Sequence, residues 1–344
     1  MNVQEQARRR WDSIAKPLHS LGRLEDLVVQ IAGITQTADV RIDKRCALVF
    51  CGDHGVVKEG VSQAGSEVTA LVARSIAEGT GNINLMAGAA RADVFAIDMG
   101  MLTEVEGTIN RRIGAGTADI AEGPAMTREQ AEKALQAGME MMRDLRDRGY
   151  GIAVIGEMGI GNTTAASAVA SVLLDTPAEK VTGRGAGLSD AGLERKIEVI
   201  KKAVRINHPD AGDPIGVLAA LGGYEIAGMA GAFLGGYRYH IPTVTDGMIP
   251  SVAALAAVRI CPEAVSSILP GHVSKEPVDR QIMEALHMEP VIDARMALGE
   301  GTGGVLLLPL LDMALRVYHG PHTFEKLGME AYTPQGDKTA EGPL

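Results

Sequence analysis

A chain of 344 residues with 46% hydrophobic and 22% charged residues can bury a sizeable core, which excludes a disordered or fibrous protein. Lys and Arg number 33 against 43 Asp and Glu, and the net charge of −10 repels phosphate backbones and anionic lipid, so neither nucleic acid nor a membrane is an expected partner. Glycine is the compositional outlier at 42 residues, which implies many turns and close backbone approaches.

In chain order, residues 1–30 read as helix and loop, and residues 1–11 lack the apolar stretch of a signal peptide. Short apolar runs at 47–51, 93–97, 152–155 and 241–244 have the length of buried strands. Helices alternate with them. One spans 127–148 behind a Thr127-x-x-Gln130 capping box, and another spans 189–206 with Leu193, Ile197, Ile200 and Val204 on one face. The apolar run at 305–315 is interrupted by Pro309 and Asp312, too early for a membrane span. Strand and helix in alternation predict an α/β fold, a Rossmann-like parallel sheet flanked by helices. Residues 31–275 form the expected large domain, and 1–30 with 276–344 a small helical subdomain. Three cysteines, Cys46, Cys51 and Cys261, give no disulfide framework or zinc spacing, and a reducing, cytoplasmic location is the expectation.

Several strands run into glycine and acid, as in Gly52-Asp-His-Gly55, Gly156-Glu-Met-Gly159 and Asp246-Gly247, and the carboxyl ends of parallel strands are where ligands bind. The sharpest segment is Gly156-Glu-Met-Gly-Ile-Gly-Asn-Thr-Thr164. Glycines at 159 and 161 followed by Asn162, Thr163 and a helix offer backbone N–H groups to an anion, phosphate above all. It lacks the Gly-Lys-Ser/Thr of a P-loop and the last glycine of the dinucleotide fingerprint, and a plain connecting turn would have similar spacing. Glu157, an acid inside an anion-favouring loop, suits a cationic ligand group. A second cluster, Gly183-Arg184-Gly185, precedes a helix carrying Lys196, and Ser274 can donate to a phosphate oxygen. In Leu298-Gly-Glu-Gly-Thr-Gly303 a lone acid, Glu300, sits among glycines with no packing reason, and burial there would raise its pKa toward that of a general base. Asp53-His54 lacks the companions that a metal site would need.

Together these segments, with Lys16-Pro-Leu-His-Ser-Leu-Gly22 and Gly60-Val-Ser62, resemble the nicotinate-nucleotide:dimethylbenzimidazole phosphoribosyltransferase family from about residue 16 to 328. The resemblance implies transfer of 5-phosphoribose from nicotinate mononucleotide to an aromatic lower-ligand base of a cobamide, with inversion, by a homodimer that needs no cofactor or metal. By motif, Glu300 matches the general base and Glu157 a second acid. Gly159, Gly161, Gly183, Gly185, Lys196 and Ser274 match phosphate and ribose contacts, and Ser62 a base-pocket position. Asn162, Thr163, Arg184, Asp246, Gly301, Thr302 and Gly303 fall within the same motifs and are further candidates for substrate binding. The family's proline and glutamine after Ser62 are replaced by Gly65 and Ser66, which leaves phenolic or purine bases, with an unlike partner subunit, as alternatives. A non-catalytic mononucleotide sensor is a further alternative, but it would have no use for Glu157 and Glu300.

Overall fold

A computed structural model describes residues 2–333, so Met1 and residues 334–344 of the expected small subdomain lie outside the described part. The chain runs α1 (Val3–Asp12), α2 (Arg23–Thr35), β1 (Arg45–Gly52), α3 (Glu67–Ala77), α4 (Asn82–Ala89), β2 (Asp93–Gly100), β3 (Ile109–Asn110) and α5 (Arg128–Asp147). It continues through β4 (Ile152–Met158), α6 (Asn162–Leu173), α7 (Ala178–Val181), α8 (Asp190–Asn207), α9 (Pro214–Leu221), α10 (Tyr224–Tyr239) and β5 (Thr243–Thr245). It closes with α11 (Met248–Ile260), β6 (Ile268–Leu269), α12 (Pro277–Ala285), α13 (Thr302–Val305) and α14 (Leu307–Tyr318).

All six strands are parallel, in the order β3-β2-β1-β4-β5-β6. The four strands expected from apolar runs are present. The two-residue edge strands β3 and β6 were not anticipated, because two residues carry no period. The order reverses between β1 and β4, whose carboxyl ends pair Phe50 with Glu157 and Cys51 with Met158. Such a reversal opens a crevice above the sheet.

Alternation along β1 divides the core. Cys46, Leu48 and Phe50 join the cluster containing α5, α6, α10 and α11, while Ala47, Val49 and Cys51 join the cluster containing α1, α2, α4 and α14. Both clusters are apolar, so the central strand is buried throughout. The terminal helices meet through Trp11 and Tyr318, whose rings lie edge to face at 5.0 Å, and their apolar residues share one cluster with the sheet residues Val154 and Leu269.

Helix ends follow local chemistry. Thr127 and Gln130 form the expected capping box on α5, and the Ser189 hydroxyl accepts from Gly192 N at 3.2 Å to start α8. Some of the glycine excess is spent between α5 and α10, where a Cβ on Gly138 would overlap the Gly228 carbonyl and one on Gly231 the Leu135 carbonyl. Small residues therefore let these backbones touch. Among the described residues no helix is long and apolar enough to cross a membrane.

Candidate active site

The site is assembled where three loops meet above β4 and β5. The first follows β4 at residues 159–161. Gly161 adopts φ +95° as it opens α6, and a Cβ there would lie 2.9 Å from Val57 Cγ2 and 3.0 Å from His54 Cβ, so only glycine suits both the backbone and the space. Ile160 N donates to the buried Thr69 hydroxyl at 3.0 Å, fixing the loop to α3. At the start of α6, Asn162 donates its side-chain amide to Glu157 Oε2.

The second loop spans residues 299–304. Glu300 N donates to the Glu157 carbonyl at 3.1 Å, and a Cβ on Gly156 would overlap Gly301 N, so the loop lies directly on β4. Its other anchor is Asp246, at the end of β5. One oxygen of the carboxylate accepts from Gly303 N at 2.6 Å and Gly304 N at 3.0 Å, and the other accepts from Gly301 N at 3.1 Å. Burial raises the Asp246 pKa to about 7 even though these N–H donors favour the anion. Glu157 is raised to about 8, first by burial and then by the nearby Asp246 charge, with the Asn162 amide opposing. Two acids that repel each other in a dry site are thus held close to neutral pH.

The third region is the cradle of residues 183–185 with Lys196 behind it. Lys196 is fully buried and donates to Thr163 Oγ1 at 2.8 Å, and burial lowers its pKa to about 8. Gly185 lies against both groups, a Cβ there falling 3.0 Å from Thr163 Oγ1 and 3.4 Å from Lys196 Nζ.

These loops enclose a cleft of about 210 Å³ and, beside it, a smaller one of about 60 Å³. Of the residues expected from sequence, Glu157, Gly159, Asn162, Thr163, Gly185 and Asp246 line the larger cleft, together with Ser274, Thr302 and Gly303. Ser62, Gly161 and Arg184 face the smaller one. Arg184 itself is exposed and turns back to Asp190 and to the Leu188 carbonyl. Gly301 contributes through its N–H to Asp246, and Lys196 through Thr163. Gly183 abuts the Glu276 carboxylate, and Ser66 sits at the N-cap of α3, lining neither cleft.

Glu300 is buried and is itself outside the cleft lining, between Gly299 and Thr302, which belong to it. Its φ is +63°, and Oε2 accepts from Ile83 N at 3.1 Å in the first turn of α4. The Oε1 oxygen is not part of that bond.

Sequence reasoning passed over His272, Glu276, Met296 and Leu298, which also line the larger cleft. His272 Nδ1 lies 3.0 Å from the Asp246 carbonyl and supports the same corner. Asp53 and His54 belong to an internal arrangement, in which His54 Nε2 lies 2.6 Å from Glu225 Oε1 with both side chains buried. Among the described residues no group of three or more His, Cys, Asp or Glu side chains gathers as a metal site.

A family model described as Phosphoribosyltransferase (DBI_PRT) matches residues 1–329. A nicotinate-nucleotide–dimethylbenzimidazole phosphoribosyltransferase of Acetivibrio thermocellus is 45% identical over 96% of this chain and 95% of its own. The chain belongs to that phosphoribosyltransferase family. A relative of the same name from Ruminiclostridium cellulolyticum is 43% identical over 97% of this chain and 96% of its own. The crystal structure of CobT from Thermus thermophilus superposes with a TM-score of 0.89 at 40% identity, covering 95% of this chain and 99% of that one.

Proposed function

We propose that this member of the family transfers 5-phosphoribose from nicotinate mononucleotide to dimethylbenzimidazole or a related azole, yielding an α-linked riboside 5′-phosphate and nicotinate for a cobamide. The observation that carries the reading is the buried Glu157 in the wall of a cleft that Gly185 and Thr163 also line, with Lys196 behind Thr163. A carboxylate beside an anion cradle is costly unless the ligand brings a cation with its phosphate, and nicotinate mononucleotide carries both.

The phosphate sits against Gly185, Thr163 and Ser274, which line the larger cleft, with the Lys196 charge behind Thr163. The pyridinium lies toward Glu157, whose proton it displaces by favouring the anion. When the C1′–N bond breaks, the electron pair goes to the pyridine nitrogen, and nicotinate leaves with a neutral ring. The positive charge developing on the ribose is stabilised by the Glu157 carboxylate. One azole nitrogen attacks C1′ from the opposite face, inverting the anomeric centre, and Glu300 takes the proton from the other nitrogen. Asp246 acts through the loop, aiming Glu300, Thr302 and Gly303.

Ser62 in the smaller cleft is the candidate contact to the base. Ser66 lines neither cleft, and the amide that this loop brings to the smaller one is that of Gln63, which donates to the Gly187 carbonyl, so the test panel includes phenolic and purine bases beside azoles. We take the enzyme to be cytoplasmic, a homodimer or a pair with a related subunit. The test is incubation with nicotinate mononucleotide and a panel of benzimidazoles, purines and phenols, with products separated by mass. An α-riboside phosphate with release of nicotinate is expected. Failure with every base would sink the reading.

A further inference from the structure

Glu276 is the cleft residue that the mechanism leaves unused. It stands at the N-cap of α12, yet its side chain does not cap that helix. The turn is held by other bonds, Ser274 N donating to Asp279 Oδ2 at 2.7 Å and Glu276 N approaching Ser274 Oγ at 3.4 Å. The Glu276 carboxylate instead lines the larger cleft, against Gly183. Its Oε2 atom is buried and has no hydrogen-bond partner among the described residues, and Lys196, which influences it electrostatically, forms its ion-dipole contact with Thr163 instead.

A buried carboxylate oxygen without a donor is expensive, and the deficit is removed by a ligand that supplies an O–H or N–H. The phosphate of a mononucleotide is mainly an acceptor at neutral pH, as is the nicotinate carboxylate. The ribose hydroxyls are its donors. An azole N–H is the other candidate donor, but Glu276 lines the larger cleft and not the smaller one beside Ser62. We propose that Glu276 is a specificity-determining residue that accepts a hydrogen bond from a ribose hydroxyl of the mononucleotide, so that the enzyme selects ribose over deoxyribose. This rests on the phosphoribosyl reading given above and names a residue for its sugar.

The test compares kcat/KM for nicotinate mononucleotide with its 2′-deoxy and 3′-deoxy analogues in wild type, Glu276→Gln and Glu276→Ala, with direct binding of the same three compounds by calorimetry. A hydrogen bond to a charged group predicts that wild type disfavours one deoxy analogue by roughly 10- to 100-fold. Glu276→Ala is expected to lose the ribonucleotide's advantage and treat both sugars alike, while Glu276→Gln, which keeps a carbonyl acceptor, retains part of it. Equal losses on ribo and deoxy substrates, or a wild type indifferent to both hydroxyls, would overturn the proposal while leaving phosphoribosyl transfer intact. A wild type that neither binds nor turns over the ribonucleotide would overturn the function, and the assignment of Glu276 with it. Matching melting curves for wild type and Glu276→Gln separate a ribose effect from a folding defect.

Discussion

The Asp246 carboxylate accepts a hydrogen bond from Gly303 N at 2.6 Å, and with its two further bonds to Gly304 and Gly301 it ties the end of β5 to the loop that carries Glu300. A side-chain acid at one strand end thus sets the backbone path of a segment far along the chain.

Replacing it tests that dependence. Asp246→Asn keeps the shape but leaves one carbonyl oxygen where two carboxylate oxygens accepted three N–H groups, and turns an amide N–H₂ toward the loop. A buried donor left unpaired costs ~1–3 kcal/mol, so denaturant unfolding should show a loss of that order. In the folded fraction kcat should fall at least tenfold while nicotinate mononucleotide binding changes little. Unaltered stability and turnover would show that the loop holds its path without Asp246.

Glu157 gives the stability of the empty enzyme a pH dependence. An ordinary glutamate titrates at 4.5, and burial raises this one to about 8. Between those values the folded chain holds a proton that the unfolded chain has released, so stability is greatest below about 4.5 and declines as pH rises toward 8. Asp246, raised from 3.8 to about 7, acts in the same direction. Glu157→Gln should flatten this decline and raise Tm at pH 8 by several degrees. Melting curves from pH 5 to 9 decide it, and identical slopes in the two proteins would count against a proton held by Glu157. A cationic substrate reverses the preference, so binding at pH 7 should release a proton, read from calorimetry in buffers of different ionisation enthalpy.

Lys196 predicts the opposite limb. Burial lowers its pKa to about 8, so its charge is present below that pH and fades above it. In wild type, kcat/KM for the mononucleotide should therefore fall as pH passes 8, because that ratio reports the free enzyme. Lys196→Met should lose this limb and raise KM by roughly 10- to 100-fold at pH 7, the worth of a charged hydrogen bond. A variant that keeps the alkaline limb would place it on another group.

Glu300→Gln addresses the base. The amide preserves volume and still accepts from Ile83 N, but cannot take a proton at neutral pH. Turnover should fall by about 10²-fold or more with mononucleotide affinity nearly unchanged. Wild-type turnover would remove Glu300 from the chemistry.

The four longer strands and the carboxyl-end position of the cleft were legible because continuous apolar runs, glycine punctuation and acids at the strand ends act over neighbouring residues. Glu157 and Glu300 stood out because a lone acid among glycines has no packing use. Their relationship was not legible. Nothing local marks Glu300 Oε2 as the partner of Ile83 N, or Lys196 as lying behind Thr163 rather than open to the cleft. Glu276 went unnoticed because an acid before Pro277 reads as an ordinary helix start, and its refusal to cap is a tertiary fact. Ser66 was weighed by its place in a motif, but the turn into α3 leaves it outside both clefts.

The hydrogen bond between Ile83 and Glu300 closes a stretch of 217 residues, and that between Asp246 and Gly303 one of 57. During synthesis the turns around Gly161 and Gly185 leave the ribosome well before the loop that carries Glu300. A chain stalled short of residue 299 would lack Glu300, the N–H donors that satisfy Asp246, and the α14 residues Leu307, Leu308 and Leu311 of the core. Contacts of this span are slow to form, and Trp11 packs against Tyr318 across a still longer one, so on refolding the final Trp11 fluorescence and catalytic competence should both be gained late.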